Sequence, residues 1–207
     1  MPHMESLHLI VGLGNPGAEY AKTRHNVGFL LVEKLAARWK TDWANERKFS
    51  ARIARAGRNR RRVLLCRPQT FMNLSGETVR ALVDFYQLPR PFSGLLVVMD
   101  DADLPLGEIR LRAEGGSGGH HGLESIEQHL ATREFARLRI GIGRKDGERE
   151  ITDHVLGKFD PGEVELMEKA LDRAASQMEC WLDDGIQNAM NRFNGVENGP
   201  TNEETKL

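Results

Sequence analysis

The chain has 207 residues, the size of one ordinary domain, and its 40 % apolar and 29 % charged residues match a soluble globular protein. No stretch is apolar for long enough to span a bilayer, and the first five residues are too few and too polar for a signal peptide, so neither a membrane protein nor an exported one is expected. Cys66 and Cys180 sit in apolar segments without metal-ligand spacing, the pattern of buried free thiols in a reducing cytosol.

The first element is the run Leu9-Ile10-Val11, which reads as a strand buried on both faces. Asn15-Pro16-Gly17 then bends the chain. Pro16 fixes its own φ and pushes Asn15 toward an extended conformation, and Gly17 can take a positive φ. Asn15 is thereby left at the carboxyl end of a core strand, where open α/β sheets bind ligands. Tyr20 and then Arg24-His25-Asn26 follow, so an amide, a phenol and an imidazole gather near one strand end. At this stage His25 reads more readily as a satisfied surface or capping residue than as a catalyst.

Val27, Leu30, Leu31, Leu35 and Trp39 mark one helix face, with Asn26 as its N-cap. Residues 48–56 and 62–67 read as strands around the turn Gly57-Arg58-Asn59-Arg60. Pro68-Gln69-Thr70-Phe71-Met72-Asn73 leaves the second as an extended loop. Ser75 caps a helix whose apolar face is Val79, Leu82, Val83 and Tyr86, and Pro89 and Pro91 bar its continuation. Residues 95–99 are a second wholly apolar strand, ending in Asp100-Asp101-Ala102-Asp103. Residues 109–112 are a short alternating strand, 115–122 a Gly-rich loop, and a helix starts near Leu123. Residues 137–143 alternate basic and apolar as a strand, and 146–153 read as a polar loop. Asp160-Pro161-Gly162-Glu163 carries the signature of a helix start, and Val164, Met167, Leu171, Ala174, Met178 and Trp181 continue it as a long amphipathic helix. The class is α/β: a single domain over 1–194 with a mixed, mainly parallel sheet flanked by helices, followed by a polar tail, 195–207, expected to be disordered.

The net charge of −1 says little as a total, but its distribution is uneven. Arg58, Arg60, Arg61, Arg62 and Arg67 cluster in one stretch, of which 58–62 read as a solvated hairpin tip. Arg110, Arg112, Arg133, Arg137, Arg139, Arg144 and Lys145 form a second, which suits a phosphate-binding face.

Three motifs compete for chemistry. Gly12-Leu13-Gly14-Asn15-Pro16-Gly17 fits G-x-G-x-x-G, but Pro16-Gly17 make a turn where a dinucleotide fingerprint must open a helix. Gly115-Gly116-Ser117-Gly118-Gly119 fits G-x-S-x-G, but no rigid strand runs into Ser117; a mobile substrate-contacting loop suits it better, with a serine esterase as the rival. His120-His121 lack ligand spacing, so no metal is expected. The remaining combination is His25 with Asp100. An Asp that accepts from one imidazole nitrogen fixes the tautomer and raises the basicity of the other, and Asn15 and Asn73 offer amide donors for a developing oxyanion.

Val-Gly-Leu-Gly-Asn-Pro-Gly with Tyr20 and Thr-Arg-His-Asn-Val-Gly; Pro-Gln-Thr-Phe-Met-Asn-Leu-Ser-Gly; Asp-Asp-Ala-Asp-Leu-Pro-Leu-Gly; Gly-Gly-His-His-Gly-Leu; and Arg-Leu-Arg-Ile-Gly-Ile-Gly-Arg occur in this order. The whole resembles the bacterial-type peptidyl-tRNA hydrolases over residues 7–194. The resemblance implies a monomeric cytoplasmic enzyme without metal or cofactor. Its activity would be cleavage of the ester between peptide and tRNA in peptidyl-tRNA released from stalled ribosomes. It implies His25 as general base, Asp100 as its orienting partner, and Asn15 as the reader of the peptide group. Tyr20, Phe71, Met72 and Asn73 would form the groove for peptide and terminal nucleotide of the 3′ CCA end, and Arg112 with Arg139 would clamp the tRNA 5′ phosphate. One departure is His121, where the family usually carries Asn in contact with substrate; an imidazole can donate or accept at each nitrogen, adding a pH-sensitive group.

Overall fold

The computed structural model describes residues 6–144 and 148–195. Seven strands, β1 (Leu7–Gly12), β2 (Trp43–Glu46), β3 (Ala51–Arg58), β4 (Arg61–Pro68), β5 (Phe92–Asp101), β6 (Ile109–Arg112) and β7 (Phe135–Gly141), form one sheet in the order β2-β3-β4-β1-β5-β7-β6. The inner strands β4, β1, β5 and β7 are parallel; β2, β3 and β6 join antiparallel at the two sides. The helices are α1 (Val27–Arg38), α2 (Ser75–Tyr86), α3 (His121–Leu130), α4 (Glu148–Leu156), α5 (Pro161–Asp184) and α6 (Ile186–Phe193).

The apolar run of β1 explains why the sheet is covered on both sides. Ile10 packs into one core with Leu31 of α1 and Leu171, Met178 and Trp181 of α5. Leu9 and Val11, pointing the other way, pack with Leu82 of α2 and Leu123 and Ile126 of α3. All three β1 side chains are fully buried, and each such burial is worth about 1.5–3 kcal/mol. Both cysteines are buried within these cores as free thiols, and burial pushes the Cys66 thiol well above its ordinary range.

Several elements differ from the sequence reading. Residues 148–156 are helix α4, not a polar loop: Ile151 and Val155, one turn apart, supply an apolar stripe that the surrounding charge obscures. Strand β2 is a short edge paired with β3 from Trp43↔Ala54 to Glu46↔Ala51, and helix α6 places Ile186, Ala189, Met190 and Phe193 on the core at helical spacing, a pattern the sequence reading passed over. Ser75 is the first residue of α2 rather than its cap, and its buried hydroxyl has no hydrogen-bond partner among the described residues. Asn26 does sit at the N-cap position of α1, but its side chain is used elsewhere. Asp160 and Glu163 form the expected start of α5, with the Asp160 N–H donating to Glu163 Oε2 at 2.8 Å. Arg58 is not merely solvated: its Nε and Nη2 donate to Asp183 at 3.1 and 2.7 Å, binding the hairpin to α5. Of the expected tail, Gly195 pairs with Ile109; residues 196–207 lie outside the described residues.

What places the site is a close crossing of backbones. The Leu13 N–H donates to Val98 O at 2.9 Å, extending the β1–β5 pairing by one rung, and the Phe29 N–H donates to Leu13 O at 3.2 Å. A Cβ on Gly12 would lie 2.2 Å from Gly28 O, and one on Gly28 would lie 2.5 Å from Leu13 N and 2.6 Å from Val98 O. Only glycine at both positions lets the first turn of α1 sit directly on the ends of β1 and β5. His25, just before that turn, is thereby set over the carboxyl end of β5.

Candidate active site

His25 lies in the short 3-10 turn Arg24–Asn26. The turn is fastened on both sides. Asn26 Nδ2 donates to Asn15 O at 2.9 Å, and the Asn15 N–H donates to Asn26 Oδ1 at 2.8 Å, so the amide closes onto both backbone groups of Asn15. Arg24 is 4 % exposed; its Nη1 and Nη2 donate to Lys158 O and Glu163 Oε2, each at 2.5 Å, and its backbone N–H to Gly157 O at 2.9 Å.

His25 Nδ1 lies 2.9 Å from Asp100 Oδ1. A second imidazole shares that oxygen: His120 Nε2 is 3.1 Å away. His120 Nδ1 accepts the Leu123 N–H at 3.2 Å as the N-cap of α3, so its hydrogen must sit on Nε2, aimed at Asp100. His25 likewise gives its Nδ1 hydrogen to the carboxylate, which leaves Nε2 with a free lone pair. Burial works to raise the Asp100 carboxyl, but the imidazoles beside it, His25 above all, outweigh burial and hold it well below the usual carboxylate range. Asp100 is thus a fixed anion with two hydrogen bonds on one oxygen. His25, Asp100 and His120 bring ligand-type atoms within 4.8 Å of one another. The two hydrogens that converge on Oδ1 account for that grouping without an ion.

These groups line a cleft of about 800 Å³. Asn15, Phe71, Met72 and Asn73 line it too, together with Ser117, Gly118, His121 and Arg139. Asn15 Oδ1 accepts the Met72 N–H at 2.8 Å, which ties up its oxygen and leaves its NH2 as the available half. Asn73 is exposed and Phe71 is 58 % exposed, while Met72 is buried. Ile151, Val155 and Leu156 of α4 supply an apolar wall. His154 holds that helix to the end of β7, its Nε2 lying 3.1 and 3.0 Å from the carbonyls of Ile142 and Gly143.

Tyr20, half-buried, and Arg112, exposed, are absent from the cleft lining. Arg112 and Arg139 do share a face: β6 and β7 pair Arg110↔Arg139 and Arg112↔Arg137, so all four arginines project from one side of the ribbon. Arg139 Nε lies 2.6 Å from Asp101 Oδ2, and Arg110 pairs with Glu108. Arg112 has no hydrogen-bond or ion-pair partner among the described residues. His121 is largely exposed at the rim, with Nδ1 3.3 Å from Glu124. The Ser117 hydroxyl donates to Glu124 at 3.4 Å and has no imidazole as partner among the described residues, as suits a loop residue and not an activated nucleophile. The sequence reading gave His120 no role in this cluster; the signal was its place just ahead of a helix, where a capping side chain has a fixed direction.

An α/β scaffold with an imidazole–carboxylate pair at the carboxyl ends of its parallel strands is an arrangement that hydrolases share. The family model described as peptidyl-tRNA hydrolase matches residues 9–203. The peptidyl-tRNA hydrolase of a Synechococcus strain is 47 % identical over 203 residues, covering 96 % of this chain and 88 % of its own; that of Syntrophomonas wolfei is 47 % identical over 188 residues, covering 91 % and 100 %. The crystal structure of peptidyl-tRNA hydrolase from Acinetobacter baumannii superposes with a TM-score of 0.86 at 41 % identity, covering 94 % of this chain and 97 % of that one. The chain belongs to the peptidyl-tRNA hydrolase family and is a hydrolase acting on peptidyl-tRNA.

Proposed function

We propose that His25 Nε2 takes a proton from a water molecule as that water attacks the ester carbonyl joining peptide to the 3′ ribose of tRNA. The carbonyl oxygen gains negative charge and accepts hydrogen bonds from the NH2 groups of Asn15 and Asn73. When the tetrahedral centre collapses, the C–O bond to the ribose breaks, and the proton held by His25 passes to the ribose oxygen. The products are a peptide acid and free tRNA, with no covalent enzyme intermediate. Asp100 accepts the Nδ1 hydrogen of His25, which leaves Nε2 as the accepting nitrogen, and stabilises the imidazolium that forms.

The observation that carries this reading is the 2.9 Å contact between His25 Nδ1 and Asp100 Oδ1 inside a cleft that also holds both amides. Phe71 offers an exposed ring on which the terminal base of the CCA end stacks, and Met72 and Asn73 flank it. The Asn15 amide reads the first peptide group and so rejects free aminoacyl-tRNA. Arg112 and Arg139 grip the 5′ phosphate region of the polyanionic leaving group, and His121 meets substrate at the rim. The enzyme works as a cytoplasmic monomer on peptidyl-tRNA shed by stalled ribosomes. The test is peptide release from N-acylated aminoacyl-tRNA, set beside free aminoacyl-tRNA, by wild type and by Ser117→Ala. Turnover of the acylated substrate alone, kept in the Ser117→Ala variant, supports the reading; loss of turnover in that variant transfers the chemistry to a serine esterase.

A further inference from the structure

The Gly-rich segment 115–119 forms one wall of the cleft, yet almost nothing packs against it. A Cβ built on Gly116 or Gly119 would meet no atom within 4 Å. One built on Gly115 would meet only Arg137 Nη1, at 3.9 Å, and one on Gly118 only Arg139 Nη2, at 3.4 Å. Behind the segment, between it and α3, lies a second, polar cavity of about 710 Å³ that Ser117, Glu124 and Glu127 help to line. Gly115, Gly118 and Gly119 take φ of +147°, +61° and +80°, conformations that glycine adopts readily and that no side chain reinforces. A stretch of four glycines with space on both sides loses much conformational freedom on ordering, and something must hold it.

Arg137 supplies the tether. It is 1 % exposed although it stands in the same row as Arg112 and Arg139. Its Nη1 donates to the Gly115 carbonyl; its Nη2 donates to Arg133 O at 2.9 Å and to Phe135 O at 3.0 Å; and Glu127 balances its charge at 3.5 Å. Its guanidinium carbon also lies 4.4 Å from the Phe135 ring centre. No donor is left for a phosphate.

We propose that Arg137 is a positioning residue that sets the Ser117–Gly119 wall against the 3′ end of the substrate, whereas its neighbours in the row face the tRNA backbone. This rests on the reading that peptide and terminal nucleotide occupy the cleft. His120 is fixed independently by its bonds to Asp100 and Leu123, so releasing the wall leaves the reacting pair in place. The experiment measures kcat and KM separately for Arg137→Lys on full-length peptidyl-tRNA and on an N-acylated aminoacyl ester of the CCA trinucleotide. Lysine keeps the charge beside Glu127 but cannot fork to Gly115 and Arg133 together.

The expected result is a KM about tenfold higher on both substrates, the worth of one charge-assisted hydrogen bond, with kcat within about twofold of wild type. Gly115→Ala, which strains the positive-φ backbone that carries the same carbonyl, gives a similar rise in KM. The double variant then shows no further loss, because both changes cut one tether. A rise confined to full-length peptidyl-tRNA means that Arg137 grips the distant backbone itself, and overturns the proposal. A lowered melting temperature with unchanged KM makes Arg137 merely structural, and overturns it too. Turnover surviving in His25→Ala would instead sink the mechanism above and leave the KM comparison standing.

Discussion

The carboxyl ends of β1 and β5 and the β6–β7 ribbon each set like side chains together, and in each the more buried member is spent on holding the structure. His120 uses both ring nitrogens, one for the cap of α3 and one for Asp100, while His25 keeps a nitrogen open to the cleft. Arg137 uses its guanidinium on carbonyls of three residues and one carboxylate, while Arg112 carries its charge at the surface. The difference between the two regions is one of tolerance. The histidine region is a bonded unit in which each group fixes the next. The ribbon has a spare cation at one end and an arginine on Asp101 at the other. On the proposed mechanism, chemistry is concentrated in the mutually bonded cluster, and binding is spread where charges can be lost singly.

The sharpest way to break that contrast is His25→Ala. It removes the open nitrogen and should lower kcat about 10²–10⁴-fold, with tRNA binding kept, as read by single-turnover peptide release beside a filter-binding titration. Asp100→Asn should cost less, about 10²-fold, because a base survives with its tautomer less well fixed. That variant also tests linkage. The Asp100 carboxyl is depressed in the folded state, so the stability it contributes is present above the unfolded value of about 3.9 and is lost as pH falls below it. Chemical denaturation between neutral and acid pH should show a shallower acid loss for Asp100→Asn than for wild type. Arg112→Ala should weaken tRNA binding uniformly and flatten the plot of log K against log salt by about one phosphate contact, with kcat unchanged. Smallest of all, His121→Asn should move kcat/KM by no more than about fivefold, since its contact with Glu124 is exposed and such pairs are worth about 0.2–1 kcal/mol.

The parts of the molecule that could be read from residues alone are those where one physical demand dominates. Leu9-Ile10-Val11 is apolar on both faces because the strand is covered on both, and Asp160-Pro161-Gly162-Glu163 encodes its helix start within four residues. The ends of two apolar strands placed His25 and Asp100 at one edge of the sheet, where His25 Nδ1 does lie 2.9 Å from Asp100 Oδ1. What escaped depended on partners distant in sequence. Helix α4 owes its place to His154 reaching back to Ile142 and Gly143. Asn26 looks like a cap until Asn15 is beside it. Arg137 looks like Arg139 until the register puts one over Gly115 and leaves the other in the cleft.

The buried Arg24 couples the turn bearing His25 to the capping carboxylate of α5, residues far apart along the chain. Helix ends fray before sheets melt. Gentle heating that unravels the first coil of α5 therefore takes the carboxylate from the guanidinium and loosens the turn that bears the imidazole while the strands remain intact. Inactivation should precede global unfolding on a thermal ramp, so the enzyme's working ceiling is set by a helix tip and not by its core.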